Sequence, residues 1–473
     1  MKNSWLSVAA IAISGAALFG CSGSDREDDD TSPGPSVGPT FHKDVEPILQ
    51  VSCQGCHGPG GIAPFELVDY EDARGLSGMI AIETEAKTMP PWGAQETEEC
   101  QPRHAWKNDI RLTEEQIALL KAWDEAGAPE GDPADAPPAY EPPPSGLPGV
   151  EQVVEPLNPY VTSGDSDEFR CFVLDPELTS VAYLNGVHVL PGNAKVVHHA
   201  VLVADPTGAS AAMAEADGSF DCFGGVGMIP GGQLLHVWTP GGVPFELPSN
   251  VAMPLAPGSL MVMQIHYHPA GTTADPDTTK VELRYSDSKP EYYVAASTPI
   301  GNFTTSLEGG NGLLPGPSDG AAGPEFKVPA GAADHLETMR FTVPQTNAGG
   351  DPLPEIWVYG AAAHMHYVGT NLKVEVEHAA ADPLGDECLL HEPAWNFDWQ
   401  RTYLYDADIE NLPMLKPGDV VKLTCRYNNT VDNPGVARAL ADAQLSAPKD
   451  VFLGEQTLDE MCLTLLPLLV KAP

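Results

Sequence analysis

A long apolar segment, Trp5 to Phe19, opens the chain and gives way at Ser22–Pro39 to a stretch dominated by Ser, Gly, Asp and Pro. From Phe41 apolar residues return at helical spacing, and Val45, Ile48 and Leu49 predict a short helix. Thr113-Glu114-Glu115-Gln116 is a capping box that opens another helix. Ile117, Leu119, Leu120 and Trp123 form its apolar side, and Gly127 and Pro129 stop it. After Pro148 the texture changes. Short β-branched runs alternate with Gly/Pro turns: Val196–Val203, Leu260–Tyr267, Ile356–Ala363, Leu372–Val376, Val420–Tyr427 and Leu463–Val470. These predict antiparallel strands, with no long helical period among them. No short repeat is visible, which removes solenoids and propellers.

Eight prolines lie between Pro129 and Pro148, including Pro142-Pro143-Pro144. Such a run is an extended, semi-rigid spacer, so residues 129–149 are expected to form a linker. It separates a small helical block, 41–128, from a β-rich body too long for one ordinary sandwich. Two sandwiches are expected, 150–290 and 291–473, divided near Lys289–Asn302.

Composition adds to this. The 473 residues are 42% apolar, ample for packed cores, and the 46 Gly and 47 Pro favour many turns. Acidic residues outnumber basic ones 66 to 24, a formal charge of −42. Nucleic acid and anionic lipid surfaces both demand a basic partner, so this charge argues against either.

The apolar segment is too short to span a bilayer, follows Met1-Lys2 and ends at Leu18-Phe19-Gly20-Cys21. Residues 1–20 read as a secretory signal and resemble a bacterial lipoprotein signal, with Cys21 as the lipidated N-terminus. Ordinary signal cleavage with a spare Cys21 is the alternative. Residues 21–40 would then be a disordered tether, and Ser22 after the cysteine points by analogy to the outer membrane. The mature protein would face the periplasm or the cell surface, where disulfides persist, and would meet membrane only through its lipid anchor.

Cys53-Gln54-Gly55-Cys56-His57 is the C-x-x-C-H pattern of covalent haem attachment. Two thiols add to the vinyl groups, and the adjacent imidazole becomes an axial iron ligand. A zinc site would want a second cysteine pair nearby, and the next cysteine is the solitary Cys100. With a helix before the motif and the capped helix after it, the block 41–128 is similar to small cytochromes c. Met89, held in Met89-Pro90-Pro91-Trp92, is the preferred sixth ligand. The rivals are Met79, expected in the core, and His104, in a polar loop.

Four places in the β-rich body carry imidazole or soft ligands: Val197-His198-His199-Ala200, Gln264-Ile265-His266-Tyr267-His268, His364-Met365-His366 and Asp459-Glu460-Met461-Cys462. Strand residues two apart share a face, so His364 and His366 can chelate one ion. Adjacent His198 and His199 face opposite sides unless the backbone bulges there, and periodicity alone favours one inside and one in solvent. His266 and His268 share a face, which leaves the choice between them open. Imidazoles with a thioether select copper over hard cations.

In this order the four segments resemble the copper type II, ascorbate-dependent monooxygenases, the family of peptidylglycine α-hydroxylating and dopamine β-monooxygenases. The resemblance covers about Val150 to Val470. It implies two jelly-roll-like domains, each holding one copper, facing across a solvent-filled cleft. It also implies one electron-transfer copper on His198, His199 and His266, and one catalytic copper on His364, His366 and Met461. His268 has no counterpart in the family. The activity implied is hydroxylation of a substrate C–H bond with O₂ and a reduced donor, ascorbate or a redox protein.

Cys171 with Cys222 and Cys425 with Cys462 sit where that family has disulfides. Of the nine cysteines, Cys100 and Cys388 are then left over, and would bond the haem block to the catalytic body.

The chain departs from the peptide-hydroxylating members at three positions. Where they hold a substrate carboxylate with an arginine it has Ala362, and where they use asparagine and tyrosine it has Leu463 and Leu465. An apolar or neutral small-molecule substrate is therefore expected. The fused haem, together with a charge that repels ascorbate, predicts electron delivery from haem to the copper at His198, His199 and His266. A non-enzymatic electron-transfer or copper-holding surface lipoprotein is the alternative.

Overall fold

Among the described residues one hydrophobic core lies under short helices and a larger one between β-sheets, with a small third cluster around Cys171, Phe220 and Val262. The computed structural model describes residues 38–59, 61, 63–140, 146–163, 167–222, 229–239, 242–267, 275–347, 349–379, 385–454, 456 and 458–473. The expected signal, Cys21, nearly all of the tether and His268 lie outside the described residues.

The helical core gathers Phe41, Val45, Leu49, Ile80, Leu120 and Trp123. Helix Glu46–Ser52 leads into the short turn of helix Gln54–His57, and helix Glu114–Glu125 closes the block. Its Thr113 capping box forms as the sequence predicts, and Gly127 follows with a positive φ of 82°. That left-handed turn is one that glycine takes without a Cβ penalty.

Between these helices the chain leaves its own core. Trp92, Ala94 and Trp106 are buried in the β body's core instead. Gly93 N donates to Tyr403 OH at 2.9 Å, Gln95 N to the His391 carbonyl at 2.9 Å and Lys107 N to the Leu404 carbonyl at 2.8 Å. Trp106 stacks on Tyr405, and the Cys100–Cys388 disulfide staples the crossing. Pro39 to Pro473 accordingly form one compact unit.

The body is all sheet apart from one helix and three short 3₁₀ turns among the described residues. An eleven-stranded sheet serves both halves. One five-stranded sheet, Ser219–Asp221, Glu168–Leu174, Leu260–Tyr267, Val197–Asp205 and Gln233–Trp238 in spatial order, covers the first half. Another, Gly312–Leu313, His335–Thr342, Val420–Tyr427, Gly369–Glu377 and Glu387–Glu392, covers the second. Leu174 and Leu202 of the first cover meet Val187 and Val251 of the shared sheet in the core, the arrangement of packed sandwiches.

Three details differ from the sequence pattern. The expected divide near Lys289–Asn302 is occupied by strand Tyr292–Gly301, which pairs parallel with Val251–Leu255 and antiparallel with Leu463–Lys471. The halves are thus fused through a shared strand. The run 356–363 splits into Ile356–Val358 and Gly360–His364. At Gly360 the neighbouring strand comes so close that a Cβ would lie 2.2 Å from the Tyr403 carbonyl oxygen. Helix Pro434–Asp442 was hidden by its shortness; its signal was Asn433, which caps Gly435 N, followed by Pro at the first turn.

Candidate metal centre

Strands Val197–Asp205 and Leu260–Tyr267 lie side by side, and their register slips between Val197 and His199. That bulge overrides the period of two and turns both neighbouring imidazoles toward one focus. His198 Nδ1 and His199 Nδ1 are 3.2 Å apart. With His266 they form a triad whose ligand nitrogens all lie within 4.8 Å of one another. Both ring nitrogens of His266 are buried without a hydrogen bond, although Asp167 Oδ1 lies 3.2 Å from Nε2 in poor alignment. Phe169 stacks on the His266 ring at 4.3 Å. Burial, then the charges of His266 and His198, holds His199 well below the ordinary imidazole range, so it stays neutral as a metal ligand must. Three convergent imidazoles, two buried unbonded nitrogens of His266 among them, fit a soft or borderline ion.

The second cluster is built differently. His364 ends strand Gly360–His364, and the ring of His366, two residues on, lies 5.3 Å away at 88°. His364 Nδ1 donates to Gln400 Oε1 at 2.6 Å, and Gln400 Nε2 is itself committed to the Phe397 carbonyl. His366 Nδ1 donates to the Asp459 carbonyl at 3.1 Å. Each acceptor fixes the tautomer by holding the proton on Nδ1, the arrangement that makes Nε2 the ligating nitrogen. Burial, then the charge of His364, pushes His366 down to about 3; burial also lowers His364.

Glu460 is the hub of this cluster. Its Oε1 accepts from His366 N and Met461 N, and its Oε2 accepts from Val368 N and Gly369 N. One carboxyl therefore ties the His-x-His turn to the backbone of Met461, while Tyr427 OH donates to the Met461 carbonyl. Burial raises the Glu460 carboxyl to about 8 against the pull of those four amides. The Cys425–Cys462 disulfide anchors the next residue, and Cys171–Cys222 supports the strand beside His266.

The two clusters share a neighbour. Phe397 stacks on His198 at 5.9 Å and stands edge-on to His366 at 6.0 Å, so one aromatic ring separates triad from pair. His364 and His366 both lie close enough to depress His199 electrostatically. Beside His364 the three departing positions come together: Leu463 is opposite His364, and Leu465 is opposite Ala362 on the paired strand. Directly opposed residues share a face, which makes this an apolar flank.

In the helical block, Cys53 and Cys56 carry free thiols. Burial raises Cys53 to about 12; burial also raises Cys56, against the pull of Arg401. His57 Nδ1 donates to the Phe65 carbonyl at 3.1 Å and leaves Nε2 open, the orientation an axial haem ligand needs. The sixth position is less well made. Met89 is half-buried in a cleft lined also by Trp92, Arg111 and Ile117, which includes none of Cys53, Cys56 and His57. Met79, expected in the core, is 50% exposed because it faces outward on helix Ser77–Glu85. His104 is drawn to the β body, where Nε2 meets the Asn411 carbonyl at 2.7 Å.

Sequence reasoning named the ligand-type residues and missed Gln400, Phe397 and Arg401, which lie in no motif. Glu460 stood inside a motif without a role.

No known protein family and no curated protein matches the chain. Among solved structures it is similar to the Cowpea mosaic virus top component, naturally occurring empty particles, at 11% identity. That alignment covers 69% of this chain and 89% of the other, with a TM-score of 0.23. Such a loose superposition assigns neither fold nor activity.

Proposed function

We propose that the protein is an exported copper monooxygenase that hydroxylates a C–H bond of an apolar or neutral substrate, with electrons supplied through a covalent c-type haem. The observation that carries this reading is the pairing of two imidazole clusters across Phe397, one preset for a metal by Gln400 and the Asp459 carbonyl. The two sandwiches agree with the jelly-roll pair that the resemblance implies. Copper held there would supply one-electron chemistry and the activation of O₂.

The chain's own residues have separable roles. His198, His199 and His266 would hold one ion. His364, His366 and Met461 would hold the other, with Glu460 keeping the last two on one frame. Ala362, Leu463 and Leu465 would receive the substrate, since no cation stands there to select a carboxylate. Cys53, Cys56 and His57 would carry the haem, with Met89 as the intended sixth ligand.

The test is metal and haem analysis of the full chain, followed by a substrate screen that measures oxygen consumption together with hydroxylated product. Bound copper and haem with coupled hydroxylation support the enzyme. Bound metal with no product across broad apolar and neutral substrates would favour the electron-transfer alternative.

A further inference from the structure

Every hydrogen bond, ion pair, ring contact and disulfide between 92–111 and the β body, among the described residues, goes to residues 359–411. None reaches a strand carrying His198, His199 or His266. At one edge of this crossing, the Arg401 guanidinium lies over the Trp92 ring at 5.1 Å. Trp92 directly follows Met89-Pro90-Pro91. Arg401 is half-buried and has no carboxylate partner among the described residues, an unusual state for the most polar side chain in a strongly acidic protein. Its next neighbour in the chain, Gln400, holds the Nδ1 of His364 at 2.6 Å.

We propose that Gln400–Arg401 is the junction through which the haem block addresses the His364–His366–Met461 cluster, with Arg401 as the positioning residue against Trp92 of that block. This rests on the reading above and redirects it, because the electron would arrive at the pair and not at the triad. From Trp92 to His364 the path is one cation–π contact, one peptide bond and one hydrogen bond. The step is a one-electron transfer with no bond made or broken: haem iron passes from ferrous to ferric, and copper at the pair from cupric to cuprous. A fixed cation on this side of the crossing would disfavour the more positive ferric state of a bound haem and so raise its potential.

The experiment uses the full haem- and copper-loaded chain. Arg401→Gln is expected to lower the haem midpoint potential in a spectroelectrochemical titration, and Arg401→Lys to restore it. In stopped flow, Gln400→Leu should slow reoxidation of the reduced haem by bound cupric ion, while His266→Ala, which removes the triad's ion, should leave that phase in place. A potential unmoved in Arg401→Gln, or a phase abolished in His266→Ala and intact in Gln400→Leu, overturns the junction alone. A wild-type chain that binds no covalent haem, or no copper, overturns the underlying reading along with it.

Discussion

The triad of His198, His199 and His266 and the pair of His364 and His366 use the same side chain in opposite states of readiness. At the pair, each imidazole already spends its Nδ1 on a protein acceptor, and Glu460 satisfies four backbone amides around the turn. At the triad, two Nδ1 atoms face each other and His266 keeps two buried nitrogens unsatisfied. A satisfied shell fixes ligand direction before any ion arrives; an unsatisfied one is completed by the ion. The pair should therefore keep its geometry when empty, and the triad should gain the more in stability from metal.

The harshest way to break this contrast is Glu460→Ala. It leaves four buried amides without an acceptor and should cost about 3–5 kcal/mol, read as a lower urea midpoint at unchanged slope, with loss of metal at the pair. His199→Ala should remove the triad's ion while the fold and the pair's ion persist, seen as a halved copper content. Gln400→Leu should weaken metal at the pair by about 10- to 100-fold in a competition titration, with the triad unaffected, because only ligand orientation is lost.

A pH-dependent test carries the contrast to a second buried carboxyl. Glu392, unlike Glu460, has a buried Oε1 with no partner, and burial raises its carboxyl from 4.5 to about 8. Between those values the folded protein keeps a proton that the unfolded chain releases, so its contribution to stability falls as pH rises through that window. Glu392→Gln should flatten the slope, by up to about 1.4 kcal/mol per pH unit, in denaturation curves at pH 5 and pH 8. Equal curves for both proteins would show that Glu392 is solvated.

Much of the fold was legible because it depends on short-range pattern. Leu260–Tyr267 and Val420–Tyr427 form strands with the predicted limits, and the Thr113 box caps its helix as read. Periodicity failed at His198, since alternation describes a regular strand and the slip is set by the partner strand's register. Likewise, the spacer at 129–149 marked a boundary, and only the leftover Cys100 and Cys388 pointed to contact between the blocks. The docking of Trp92 and Trp106 is a contact across hundreds of residues that no local window contains.

The sequence by itself determined which residues can ligate, in what order, and that they ride on β structure, because residue chemistry and side-chain alternation are local properties. Only the tertiary structure decided that His198 and His199 share a focus, that Gln400 and Glu460 hold the pair ready, and that Phe397 stands between the clusters. Those outcomes depend on strand register and on loops brought together from distant parts of the chain, which packing settles once the sheets assemble.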